Sequence, residues 1–139
     1  IQQTPIVVTG SVKDNLLLPF AYKSNRDSAK PNGSQLMAYM DEFRLNNIAL
    51  GDNAQNLSVG QLQRICFIRG LLLSQKIILL DEPTSALDEE SSRIVESSLV
   101  KLCRESGRTV IMVSHKKFEP DTITAVVLEL VDGQIRRVE

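Results

Sequence analysis

A chain of 139 residues is enough for one ordinary domain with a single buried core. Its 42% hydrophobic and 24% charged residues are ordinary for a globular protein, and 17 acids against 16 bases leave no basic footprint for nucleic acid and no acidic tail. No apolar run approaches the roughly 18 residues that a membrane span needs, so any link to a bilayer is expected to pass through a partner.

The chain opens at Ile1, without methionine and without the basic-then-apolar form of a secretory signal. Ile1 therefore reads as a cut point inside a longer protein. Residues 11–19, SVKDNLLLP, read as a short helix that Ser11 caps and Pro19 stops. Residues 20–33 form a polar connector, and 34–45 place Leu36, Met37, Met40, Phe43 and Leu45 on roughly one helical face.

The pattern changes at Ser58, which stands three residues before Gln61 as in a capping box. The helix they open carries Leu62, Ile65, Phe67, Ile68, Leu71 and Leu72 and is expected to end near Ser74. Residues 77–80, IILL, have the continuous apolar character of a parallel strand buried on both faces. Asp88 can cap the next helix, with Ile94, Val95, Leu99, Leu102 and Cys103 as its apolar stripe and Gly107 at its end. Thr109–Val113 is a second β-branched strand, and 125–130 and 134–138 are two more, joined by the turn pair Asp132–Gly133. Strands alternating with helices from residue 58 onward indicate an α/β layer fold with a largely parallel sheet. Cys66 and Cys103 lie far apart inside helical patterns, and there is one histidine, so both cysteines read as reduced packing residues rather than zinc ligands.

Four stretches carry chemistry. LSVGQ at 57–61 opens a helix, where free amides and a partial positive charge favour phosphate; Ser58 adds a hydroxyl, and Gly60 permits close backbone approach. In IILLDE, Asp81 emerges at the carboxyl end of a strand, where ligands of open α/β sheets gather. A carboxylate there can hold magnesium, and Glu82 beside it can accept a proton from an attacking water. SALD at 85–88 ends on the helix-capping Asp88, and His115 follows the strand TVIMVS. Each has a plainer reading when taken alone: a capped helix, a solvated acid, an ordinary cap, a surface histidine.

In this order the four resemble the ATP-binding-cassette (ABC) ATPases. LSVGQ is similar to the family signature, IILLDE with PTSALD to the Walker B strand and D-loop, and VSH at 113–115 to the switch histidine. Gln3 before PIVVTGSVKDNL resembles the Q-loop, so the likeness runs from about residue 3 to residue 135. The resemblance implies part of a P-loop NTPase (RecA-like) α/β core with a mainly parallel sheet, together with the small α-helical signature subdomain. Residues 1–57 would be the Q-loop and helical subdomain, and 58–139 the signature helix and ATPase core.

It also implies ATP and Mg2+ as cofactors. Gln3 and Asp81 would bind the metal, Glu82 would polarise the attacking water, and His115 would contact the γ-phosphate. Ser58, Val59, Gly60 and Gln61 would close on ATP held by a second ATPase subunit, a second copy of the chain, with Asp88 coupling the two sites. The implied partners are that subunit and a transmembrane permease, with no nucleic acid, and the implied place is the cytoplasmic face of the membrane. The alternative is an ABC-type ATPase of DNA repair or chromosome maintenance, but the long heptad arms and zinc cysteines usual there are not visible. Two departures stand out. Val59 replaces the first glycine of the usual signature, and none of the seven glycines is followed by the lysine of a phosphate-cradling loop. A chain without that loop is expected to be inactive alone.

Overall fold

The computed structural model describes residues 5–85, 87–116, 118, 120 and 122–138. The first helix, α1 (Val12–Leu17), is capped by Ser11. Its hydroxyl accepts the Asp14 N–H, and the Asp14 carboxylate accepts the Ser11 N–H in return. The α-helix stops at Leu17, and Pro19 lies within a 3-10 turn, Leu18–Ala21, which its ring tolerates because position N1 or N2 needs no amide bond. A second 3-10 turn, Lys23–Asn25, interrupts the connector.

Helix α2 (Gly33–Glu42) starts from an Asn32–Gln35 capping box and ends earlier than the apolar pattern predicts. Arg44 takes a left-handed φ of 50°, and the Leu45 N–H turns back to the Met40 carbonyl at 2.8 Å. Phe43 and Leu45 are thereby folded into the core from beyond the helix.

Helix α3 (Val59–Leu71) begins at Ser58 and ends three residues short of Ser74, where φ is 51°. Strand β1 (Ile77–Asp81) pairs in parallel with β2 (Thr109–Val113), in register from Ile77 opposite Thr109 to Asp81 opposite Val113. Between them runs α4 (Glu89–Ser106), capped by Asp88 and closed by Gly107 at φ 62°, a left-handed end that glycine takes without strain. The last pair, β3 (Leu128–Val131) and β4 (Gln134–Arg137), is an antiparallel hairpin. Asp132 and Gly133 both have positive φ, the requirement of a tight primed turn. The expected parallel layer is thus present in β1 and β2, while the final pair is antiparallel.

One expectation is corrected. Ile78 and Leu80 are buried, but Ile77 and Leu79 are 59% and 62% exposed, so β1 is buried on one face only among the described residues. The helices cover the inward face, and Ile111 and Val113 of β2 are exposed on the same side as Ile77 and Leu79. One continuous apolar cluster joins Val12, Leu16, Leu36, Met40 and Phe43 to Ile65, Phe67 and Ile68 of α3, and reaches Ile78, Leu80, Val95 and Leu99. Phe43 and Phe67 meet at its centre, ring centroids 5.4 Å apart and tilted by 45°. Cys66 is buried and Cys103 half-buried, both free thiols, in keeping with packing roles.

Candidate functional site

The carboxyl end of the parallel pair gathers three of the residues singled out from sequence. Asp81 closes β1 opposite Val113 and is exposed. Glu82 follows it with φ 45°, a left-handed conformation that a non-glycine residue adopts only when its surroundings hold it there. Its N–H donates to the Val113 carbonyl at 2.9 Å, and its own carbonyl accepts the Ser85 hydroxyl at 3.0 Å. The Glu82 side chain is 14% exposed. Its Oε1 accepts the His115 N–H at 2.9 Å and lies 3.5 Å from His115 Nε2, while the imidazole itself is 97% exposed. Glu82 and His115 are therefore in contact although 33 residues separate them in sequence. A carboxylate anchored through one oxygen and an accessible imidazole beside it can share proton and phosphate chemistry.

The signature segment forms a second group. Ser58 and Gln61 bond reciprocally: the Gln61 N–H donates to Ser58 Oγ at 3.3 Å, and the Ser58 N–H donates to Gln61 Oε1 at 2.8 Å. Each side chain accepts the backbone N–H of the other residue rather than bonding to Glu82 or His115. Val59 is the first helical residue and is 61% exposed, so it presents an apolar surface at the helix start. It is not among the residues with positive φ, and a valine there carries no backbone strain. A Cβ added at Gly60 would come no nearer than 3.8 Å to Leu87 Cδ2, so nothing among the described residues demands glycine at that position.

Asp88 makes a double bond set at the start of α4, accepting the Ser91 N–H at 2.8 Å and the Ser91 hydroxyl at 2.9 Å. Those two donors hold its carboxyl below the usual range. Gln3 lies outside the described residues. Among the described residues no group of three or more His, Cys, Asp or Glu is placed to hold a metal ion.

Three buried or half-buried polar residues escaped the sequence reading. Gln63 is 5% exposed, and its Nε2 approaches the Pro83 carbonyl at 3.4 Å, linking α3 to the turn after Glu82. The available signal was a polar residue on the buried stripe, four positions before Phe67. Arg64 reaches from α3 to the Phe43 carbonyl at 3.1 Å. Asn15 is fully buried and bonds the backbone of Val8, the segment that leads into α1.

An open α/β layer with acids at the carboxyl end of a parallel strand belongs to the class of proteins that bind ligands at that edge. The family is narrower. The ABC transporter family model matches residues 1–85, more than half of the chain, and the chain belongs to that family. It is 33% identical over 136 residues to ABC transporter I family member 17 of Arabidopsis thaliana, covering 98% of this chain and 50% of that protein. Among solved structures it resembles one described as a metal-chelate type ABC transporter in an inward-facing conformation, with a TM-score of 0.69 and 30% identity over 99% of this chain and 54% of that one. A dimeric bacterial ABC transporter cassette matches with a TM-score of 0.58 and 28% identity, over 81% of this chain and 47% of its own. The chain thus spans about half the length of these relatives. These likenesses give the fold as the cassette type of P-loop NTPase. Among the described residues no helix is long and apolar enough to cross a membrane.

Proposed function

We propose that this chain supplies the signature, Walker B, D-loop and switch-histidine parts of an ATP-binding and ATP-hydrolysing subunit that energises solute transport through a membrane partner. The contact of Glu82 with His115 at the end of the parallel pair carries the reading. A general base must be held within reach of the proton it takes, and the His115 N–H on Glu82 Oε1, at the carboxyl end of the parallel pair, supports that role for Glu82. Glu82 is assigned the role of accepting the proton from the attacking water. His115, whose ring stands in solvent, is assigned the contact to the terminal phosphate.

Asp81 suits magnesium. It is a hard oxygen donor, exposed at a strand end, and this ion typically keeps several waters and shares its remaining positions with phosphate oxygens. That mode needs no cluster of protein ligands. Gln3 is assigned as a second metal contact and as the sensor of the permease. Bound magnesium would neutralise charge on the phosphates. Residues 1–57 are read as the Q-loop and helical subdomain, and 58–139 as the signature helix and the core.

Ser58, Val59, Gly60 and Gln61 stand at a helix N-terminus of 13 residues, suited to close on the nucleotide of a second copy, with Asp88 coupling the two sites. The dimeric cassette among the similar structures supports a second ATPase subunit as partner. A transmembrane permease would then hold the pair at the cytoplasmic face of the membrane. The near-balance of 17 acids and 16 bases lends no weight to a DNA-clamping ATPase.

The test is Glu82→Gln in the full-length gene product. It keeps shape and ATP binding while removing the proton acceptor. Hydrolysis is expected to fall by about two orders of magnitude or more, and ATP should then trap a dimer. Turnover close to that of the unaltered protein would remove Glu82 from this role.

A further inference from the structure

The signature helix approaches the segment that follows Glu82 at two residues on one face of α3. A Cβ added at Gly60 would lie 3.8 Å from Leu87 Cδ2, so that helix start is close to Leu87. One turn further along, Gln63 points its amide at the Pro83 carbonyl, 3.4 Å away. A carbonyl oxygen can only accept, so the atom facing it must be Nε2, and the orientation of the amide follows from chemistry. Gln63 Oε1 is then left buried with no hydrogen-bond partner among the described residues.

That arrangement is a poor one for stability. Gln63 is 5% exposed among the buried Ile65, Cys66, Phe67, Ile68 and Leu71, where leucine would carry no stranded side-chain oxygen but would leave the Pro83 carbonyl without this donor. What glutamine adds, and leucine cannot, is the donor to Pro83. Pro83 directly follows Glu82, whose left-handed φ of 45° must be imposed from outside. Glu82 itself is held by the Val113 carbonyl, by the Ser85 N–H and hydroxyl on its own carbonyl and by the His115 N–H on its carboxylate, and the Gln63 amide of α3 adds a hold on the next peptide, at the Pro83 carbonyl.

We propose that Gln63 is a positioning residue that ties the signature helix to the Glu82 turn. It acts through the Pro83 peptide and touches no substrate. The inference rests on the proposed roles of Glu82 and of the α3 start. Given those roles, one end of α3 meets nucleotide held by a second copy while Gln63, within its second turn, holds the turn that serves the chain's own nucleotide. Closure at one site is thereby passed to the carboxylate at the other.

Gln63→Leu in the full-length protein preserves volume and burial and removes the donor. The expected result is a kcat for ATP hydrolysis lowered about tenfold, the scale on which small misplacements of reacting groups act, with KM for ATP changed less than about twofold. The melting temperature should change little, because removing the stranded oxygen offsets the loss of the donor to the Pro83 carbonyl. In a Glu82→Gln background, ATP should still drive dimerisation of the Gln63→Leu protein. An unchanged kcat would overturn the proposal. So would a kcat loss matched by an equal loss of ATP-driven dimerisation, which would make Gln63 a mere support of the signature helix. If Gln63→Leu does not fold, Gln63→Met is measured by the same criteria, and failure of both to fold would assign a purely structural role. Absence of ATP hydrolysis by the unaltered full-length protein would sink the ATPase reading itself. A hydrolysing protein indifferent to Gln63→Leu removes this link alone.

Discussion

Replacing Asn15 should unfasten the segment before α1 from the rest of the protein. The side chain is 0% exposed, with Val8 N–H donating to its Oδ1 at 2.9 Å and its Nδ2 donating to the Val8 and Ser11 carbonyls, both at 3.0 Å. The pattern of one donor and two acceptors around it fixes the amide orientation without ambiguity. Each such bond contributes about 0.5–1.5 kcal/mol net, and a buried backbone group left unpaired costs about 1–3 kcal/mol. These terms overlap, so Asn15→Ala is expected to cost about 3 kcal/mol, read as a lower midpoint in urea at unchanged slope. Asn15→Asp supplies a second arm. Its carboxylate would face two carbonyl oxygens, which disfavours the charged form and raises the folded pKa above the unfolded value of about 3.9. The folded variant then binds more protons than the unfolded one within that window, so its stability falls as pH rises through it. The deficit against the unaltered protein should therefore shrink on acidification. A cost for Asn15→Ala below about 1 kcal/mol, or an Asn15→Asp deficit indifferent to pH, would refute the clamp.

In the full-length protein, Ser58→Arg should spare ATP binding by the monomer and abolish ATP-driven dimerisation, measured by nucleotide titration and light scattering. Loss of monomer binding would contradict action across a dimer, whereas loss of the cap alone would cost only about 1 kcal/mol of stability. Asp88, held below the usual carboxyl range by the two Ser91 donors, contributes stability that is present above the ordinary Asp value and is lost as pH falls through its lower folded value. Asp88→Asn keeps an acceptor at the cap without titrating, so its helix content should resist acid better than that of the unaltered protein, as followed by circular dichroism.

The elements that rest on local chemistry were legible in the residues themselves. Ser11, Ser58, Asp88 and Gly107 stand where capping and left-handed termination require them, and the structure puts helix ends at each. The Asp132–Gly133 turn was equally plain, since few residue pairs accept positive φ in succession. The order of LSVGQ, IILLDE, SALD and VSH pointed to the ABC family before any coordinate was known, and the match over residues 1–85 agrees.

Where contacts span long stretches of chain, local pattern carried no information. The apolar periodicity of 34–45 ran past the end of α2, because Phe43 and Leu45 are buried through a reversal at Arg44 that periodicity does not encode. The run IILL has the same composition whether one or both faces are covered, and only the placement of α3 and α4 leaves Ile77 and Leu79 exposed. Likewise a glutamine at position 63 and an asparagine at 15 are unremarkable letters until the fold brings Pro83 and Val8 against them. Sequence by itself determined the capped helix starts and the Asp132–Gly133 turn, since these depend on neighbours a few residues away, and the order of its motifs gave the family. Tertiary structure alone decided which buried amide holds which carbonyl, and that Glu82 and His115 meet, because the former depends on how the helices pack and the latter on the pairing of β1 with β2.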